Sequence, residues 1–239
     1  MQIMSIRTTS LLIAMIASVT AVNASVPVIV GYGAGRRAVM NLLTNAQDRL
    51  KHGDTAGAKH DLDAALHADP TFWPALYVRA QIFTGEGKYD LAIQDCNEAL
   101  RQYPGFIEAA LLRARINSHL GKYAEALKEF NYLVSIHPRS VTLARALSDR
   151  AWFQATCPNP SFRNGRQAIK DAKAACSIMT WKDENMIDTL AAAYAETGDF
   201  DSAARYAAQA LAIKGIEPDD SKRIQRHLSL FQQHQPIRL

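Results

Sequence analysis

Apolar residues recur three or four apart through most of the chain, and no stretch alternates apolar with polar residues as a half-buried strand would. The pattern therefore predicts helices. Those helices come in pairs, because one phrase returns every 34 residues: Gly53-Asp-Thr-Ala-Gly-Ala58, Gly87-Lys-Tyr-Asp-Leu-Ala92 and Gly121-Lys-Tyr-Ala-Glu-Ala126. Each glycine suits the left-handed turn between two helices. Twelve residues after each final alanine comes a proline, Pro70, Pro104 and Pro138, where a helix cannot continue.

Small residues fall where helices must touch. Ala46, Ala80 and Ala114 occupy one place in successive first helices, while Ala58/Ala65, Ala92/Ala99 and Ala126/Leu133 share one face of the second helices. Tyr89 and Tyr123, two residues beyond their glycines, are placed to cover the joint with a neighbouring pair; Thr55 departs from this in the first pair. A 34-residue helix-turn-helix unit with these marks resembles the tetratricopeptide repeat. The resemblance implies an all-α, right-handed α-solenoid of about five helix pairs with a C-terminal capping helix.

The period slips once. From Arg150 the sequence runs Ala-Trp-Phe-Gln-Ala-Thr-Cys-Pro-Asn-Pro, so the second helix of the fourth pair arrives about five residues late and a longer loop is expected at Cys157–Pro160. Strict form returns at Asp188-Thr-Leu-Ala-Ala-Ala-Tyr-Ala-Glu-Thr-Gly-Asp-Phe200, with Ala203 and Ala210 in the expected places. The expected organisation is 1–24 as a signal peptide and 25–38 as a linker or lead-in to the first helix. Repeats follow at 39–72, 73–106, 107–140, 141–183 and 184–217, and a capping helix and tail at 218–239. The irregular fourth unit, the Trp181-Lys-Asp turn and the closing segment from Pro218 are similar to a C-terminal module of bacterial tetratricopeptide-repeat proteins. That family acts as interaction scaffolds, so the resemblance implies a protein or peptide partner without naming it.

The amino terminus carries a different signal. Arg7 precedes the apolar run Leu11–Val22, and Val22-Asn23-Ala24 offers small residues for signal-peptidase cleavage after Ala24. The expected location is periplasmic or secreted. The competing reading is an uncleaved inner-membrane anchor, because Leu11–Val30 is twenty uncharged residues. A membrane enters the picture only on that second reading.

Composition adds limits. The 239 residues are 48% hydrophobic and carry a formal net charge of +4, with acidic and basic residues interleaved as on solvated helix faces. No basic stripe with interleaved aromatics points to nucleic acid. Gly31, Gly33 and Gly35 miss the dinucleotide pattern, since Arg36 stands at the sixth place and no βαβ unit follows. No hydrolase elbow, zinc-protease motif or phosphate loop is present, so neither an enzyme, a cofactor nor a small-molecule substrate is expected. His60 and His67 share a face of one helix, but two turns separate them by about 10.5 Å, too far for one metal ion. Cys96, Cys157 and Cys176 are odd in number and read as buried apolar residues rather than a disulfide framework.

Function is therefore expected on the first helices, which line the inner side of such a stack. Counting along them selects Tyr77, Gln81, Arg115, His119, Trp152 and Asp188 as candidate partner contacts. Tyr77 and Trp152 are the aromatic anchors of that set; the alternative for Trp152 is that it fills the irregular fourth pair.

Overall fold

The three-to-four-residue apolar spacing becomes helix throughout the computed structural model, which describes residues 34–136 and 140–238. The expected signal segment, Gly31, Gly33, His137 and Pro138 lie outside the described residues. The chain forms two compact units that divide after Ile116. The first contains α1 (Ala34–Lys51), α2 (Thr55–Ala68), α3 (Trp73–Gly85), α4 (Tyr89–Gln102) and most of α5 (Ile107–His119). The second holds the end of α5, then α6 (Tyr123–Ile136), α7 (Val141–Thr156), a 3-10 turn (Pro160–Phe162), α8 (Gly165–Ile178), α9 (Glu184–Glu196), α10 (Phe200–Leu211) and α11 (Pro218–Gln232). No strand occurs among the described residues. Residues 34–38, read as lead-in, form the start of α1, where 35–38 are exposed.

One turn design joins α3 to α4. Gly87 has φ +73°, its amide donates to Thr84 O at 3.1 Å, and the Lys88 amide donates to Phe83 O at 2.8 Å. A Cβ at Gly87 would meet nothing within 4 Å, so the backbone angle alone is what calls for glycine. Gly53, Gly121 and Gly198 repeat the same two bonds. The α8–α9 turn forms its long-range bond without glycine: Trp181 N donates to Cys176 O at 2.8 Å while Thr180 and Trp181 take φ of 53° and 58°. Such angles are strained for β-branched and bulky residues. The Trp181 ring stacks on Tyr206, which in turn stacks on Tyr194, and this packing holds the turn.

The alanine pattern has the role expected of it. Ala46, Ala58, Ala65, Ala80, Ala92, Ala99, Ala114 and Ala126 are all 0% exposed, so helix backbones approach closely at each of these positions. Larger side chains fill the spaces between pairs. In the first unit Phe106 takes Trp73 and Tyr77 edge-on, at centroid distances of 4.6 and 4.8 Å. In the second, Tyr123 packs against Phe162 at 5.6 Å and Phe153 at 6.3 Å, covering a joint to the next pair. Burying each such large apolar side chain stabilises the fold by about 1.5–3 kcal/mol.

The late second helix of the fourth pair has a visible cause. Cys157 closes α7, and the two prolines that follow force the chain out before the 3-10 turn brings it back. The Asn164 amide then donates to Gln154 O at 2.9 Å, and the Asn164 side chain caps α8 by accepting from Gln167 N. Arg163 secures the loop by donating to the Cys157 and Pro158 carbonyls and to Glu196 Oε1 at 2.9 Å. The three cysteines are free and buried. Burial pushes the Cys176 thiol up to about 12 and raises Cys157 as well.

The interleaved charges are not all solvated, which corrects one expectation from composition. Arg79 on α3 grips Asp95 on α4 with two 2.8 Å bonds and Asp63 on α2 with a third, so one guanidinium ties three helices together. Both aspartates hold Arg79 above its ordinary pKa, Asp95 more strongly. Arg150 on α7 does the same in the second unit, meeting Asp171 on α8 at 2.7 and 2.9 Å and Asn131 on α6 at 3.0 Å. Arg113 on α5 reaches Asn97 on α4. Planar forked donors suit this geometry, since one face can serve a carboxylate while the remaining N–H reaches a second helix.

Candidate functional site

The candidate partner contacts divide by their surroundings. Tyr77 and Gln81, one turn apart on α3, are each 5% exposed; Gln81 Nε2 donates to Tyr77 Oη at 3.2 Å, and the Tyr77 ring rests on Phe106. They belong to the packing of the first unit. The expectation of Tyr77 as an open aromatic anchor is corrected accordingly: the large residue Phe106, arriving from the turn before α5, covers it. Arg115 and His119, also one turn apart, are exposed on α5.

In the second unit, Trp152 on α7 and Asp188 on α9 are brought to one place, and the closing helix α11 is what joins them. His227 Nδ1 lies 2.8 Å from Asp188 Oδ2, while the His227 ring lies against Trp152 with centroids 5.7 Å apart. Arg223, one turn earlier on α11, bonds Asn185 and stands 3.9 Å from Asp188 Oδ2. Asp188 is only 2% exposed. Its other oxygen, Oδ1, has no hydrogen-bond partner among the described residues. Trp152 is half-buried.

The tail continues along the same first helices. Ile237 is buried, and Arg238 donates to Ala155 O at 3.2 Å and pairs with Glu196 Oε2 at 2.6 Å. Glu196 thereby bridges Arg238 and the loop residue Arg163. Near the start of α9, burial raises the Glu184 pKa, with Asp183 and Asp220 adding repulsion and Arg223 opposing them. Sequence reasoning placed Glu196 and Asn185 on the inner side of the last first helix but gave His227, Arg223 and Arg238 no part in the site. Apart from Asp220, three residues before Arg223 on the same helix, the side chains and carbonyls that these three residues of the closing segment hydrogen-bond on the first helices are 38 to 83 residues away, and no periodic signal links them.

Other sequence candidates are placed more simply. His60 and His67 are exposed on α2. Among the described residues no group of three or more His, Cys, Asp or Glu is arranged to hold a metal ion, and no helix is long and apolar enough to cross a membrane.

Two family models, each described as the tetratricopeptide repeat, match residues 43–105 and 83–150. No curated protein matches the chain. Among solved structures, a thermophilic tetratricopeptide-repeat protein from Thermus thermophilus superposes with a TM-score of 0.67 at 20% identity, over 81% of this chain and 100% of that one. The pilF protein of Pseudomonas aeruginosa gives 0.64 at 14% identity, over 83% and 90%. Yeast Tom70 gives 0.61 at 16%, over 83% of this chain and 41% of its own. At such identities the structures speak for the fold alone. By its repeats and its helix pairing, this chain belongs to the tetratricopeptide-repeat family.

Proposed function

We propose that this chain is an exported scaffold that holds a protein or peptide partner on the first helices of its repeats. Tetratricopeptide repeats are in general protein-interaction scaffolds, and this chain has the same regular pairing of helices. The observation that carries the reading is on α5, where Arg115 and His119 present an exposed polar row on a helix whose other face is packed with Ala109, Leu112, Ala114 and Ile116. Exposed polar side chains on a helix anchored by its other face suit recognition of a partner's carboxylates or backbone carbonyls. No catalytic group, cofactor, nucleic acid or small-molecule substrate enters this reading.

Export is supported by Arg7, the apolar run to Val22 and the Val22-Asn23-Ala24 triplet, with a mature chain that starts at Ser25 in the periplasm or outside the cell. The uncharged stretch Leu11–Val30 favours a second reading, an assembly factor anchored in the inner membrane. Amino-terminal sequencing after fractionation separates them: Ser25 in the soluble extracellular or periplasmic fraction supports export, and Met1 in the membrane fraction supports the anchor. Partner binding is tested by cross-linking capture from the native compartment with the natural chain and with Arg115→Ala/His119→Ala. A specific partner lost from the double variant, with helicity unchanged, supports the α5 surface; equal capture by both forms overturns it.

A further inference from the structure

The closing segment reaches beyond its neighbouring helix in the second unit. α11 packs along α10, yet its side chains pass over α9 to touch α7, the first helix of the preceding pair. Three basic residues make this crossing. Arg223 and His227, one turn apart, meet Asn185, Asp188 and Trp152; Arg238 meets Glu196 and the Ala155 carbonyl. What they cover is a strip of first-helix surface whose charged groups, Asp188 and Glu196, are acidic and whose apolar element is an indole.

The apolar attachment of the segment is thin. Within the fifteen residues of α11 only Ile224 and Phe231 are fully buried, with Leu228 and Leu230 partly buried against the same core and Ile237 following in the tail, whereas α9 buries seven apolar residues of its thirteen. A six-residue connection, 212–217, joins α10 to α11, and Gly215 in it has φ +81°. The strip also keeps an unused acceptor, because Asp188 Oδ1 is buried without a partner among the described residues. A lone carboxylate oxygen in that setting favours any ligand that brings one more N–H donor.

We infer that residues 218–238 are a resident ligand of this strip, and that they exchange with a cationic helix of a partner protein. The recognition chemistry is two basic side chains one turn apart, set against Asp188 and Trp152, with a third arginine reaching Glu196 some eleven residues later. An arginine in the position of His227 would bring the forked donor that both oxygens of Asp188 accept. This rests on the reading of the chain as a protein-binding scaffold, and it assigns a second surface in addition to that of α5.

The test uses the full chain and, as probe, a fluorescent synthetic peptide of residues 217–239. In the variant Arg223→Ala/His227→Ala/Arg238→Ala the resident segment is loosened, so the peptide should bind saturably, and at least tenfold more weakly to the natural chain. Adding Asp188→Asn and Glu196→Gln should cut that binding at least tenfold, and a peptide with glutamine at its three basic positions should not bind. Absence of peptide binding to a triple variant that keeps its helicity overturns the inference, as does binding that ignores Asp188 and Glu196. A dimer of intact natural chains that exchange this segment also overturns it, by making the occupant a second copy.

Should the triple variant unfold, a protease site inserted after Gly215 lets the segment be cut in the otherwise natural chain. Replacement of the cut fragment by labelled peptide supports exchange; a fragment that never leaves, or a chain that unfolds on cutting, refutes it. Peptide exchange without any cellular partner captured counts against the wider scaffold reading only. Capture through Arg115 and His119 without peptide exchange counts against this inference only.

Discussion

His227 on the closing helix lies 2.8 Å from Asp188 on α9, 39 positions away in sequence, while its ring lies on Trp152 of α7, so one residue of the closing helix occupies two of the places expected to face a partner. The first-helix surface of the second unit is thus filled by the chain itself. Arg115 and His119 on α5 are exposed, and the proposed scaffold role turns on them.

The arginine bridges give a direct contrast in stability. Arg150→Ala removes the forked partner of Asp171, a carboxylate left 3% exposed, and should cost about 3 kcal/mol because an unpaired charge remains inside. Arg101→Ala breaks the exposed pair with Glu98 on one helix and should leave the melting midpoint unchanged. Urea unfolding of the two variants side by side checks this; equal losses would mean that the buried bridge contributes no more than a surface pair.

Repeat register can be probed at an alanine contact. Ala92 and Ala126 are fully buried between helices, so Ala126→Leu should cost about 1–3 kcal/mol through overpacking. An unchanged urea midpoint for Ala126→Leu would show that the helices do not meet there.

Two turns that share one bond pattern should respond oppositely to substitution. Gly87→Ala places a Cβ in open space at φ +73° and should cost about 1 kcal/mol from the backbone alone. Thr180→Gly relieves a β-branched residue held at φ 53° and, since Thr180 is exposed, should stabilise by about 1 kcal/mol. Thermal melts of both variants settle the sign, and a destabilised Thr180→Gly would refute the strain argument.

Thiol chemistry should report on burial. With Cys176 raised from 9.0 to about 12, the folded state keeps its proton where the unfolded chain has lost it. The contribution of this group to stability is complete below about pH 9 and is lost as pH rises from there towards 12. At pH 8 alkylation of Cys176 should therefore proceed only through unfolding, at a rate that rises with added denaturant. Because the three thiols are free, melting should be the same with and without reductant. Rapid native-state labelling of Cys176, or a midpoint that falls on reduction, would contradict the structure.

The sequence by itself determined whatever repeats at short range. Gly53, Gly87, Gly121 and Gly198 mark turns because positive φ is a local demand, and the alanines mark contacts because one helix face is a matter of spacing. The loop after Cys157 was equally legible, since proline excludes helix wherever it stands. The arginine bridges were within reach but overlooked: Asp63, Arg79 and Asp95 are sixteen residues apart in succession, as are Asn97 and Arg113. Interleaved charge looks the same in a composition whether it is solvated or buried, and only the packed neighbours distinguish the two. Tertiary structure alone decided that Phe106 covers Tyr77, and that Arg223, His227 and Arg238 reach Asn185, Asp188, Glu196 and Ala155. Those contacts join segments that share no period. They depend on where α11 comes to rest once Ile224 and Phe231 are buried, a consequence of the packed whole rather than of any local preference.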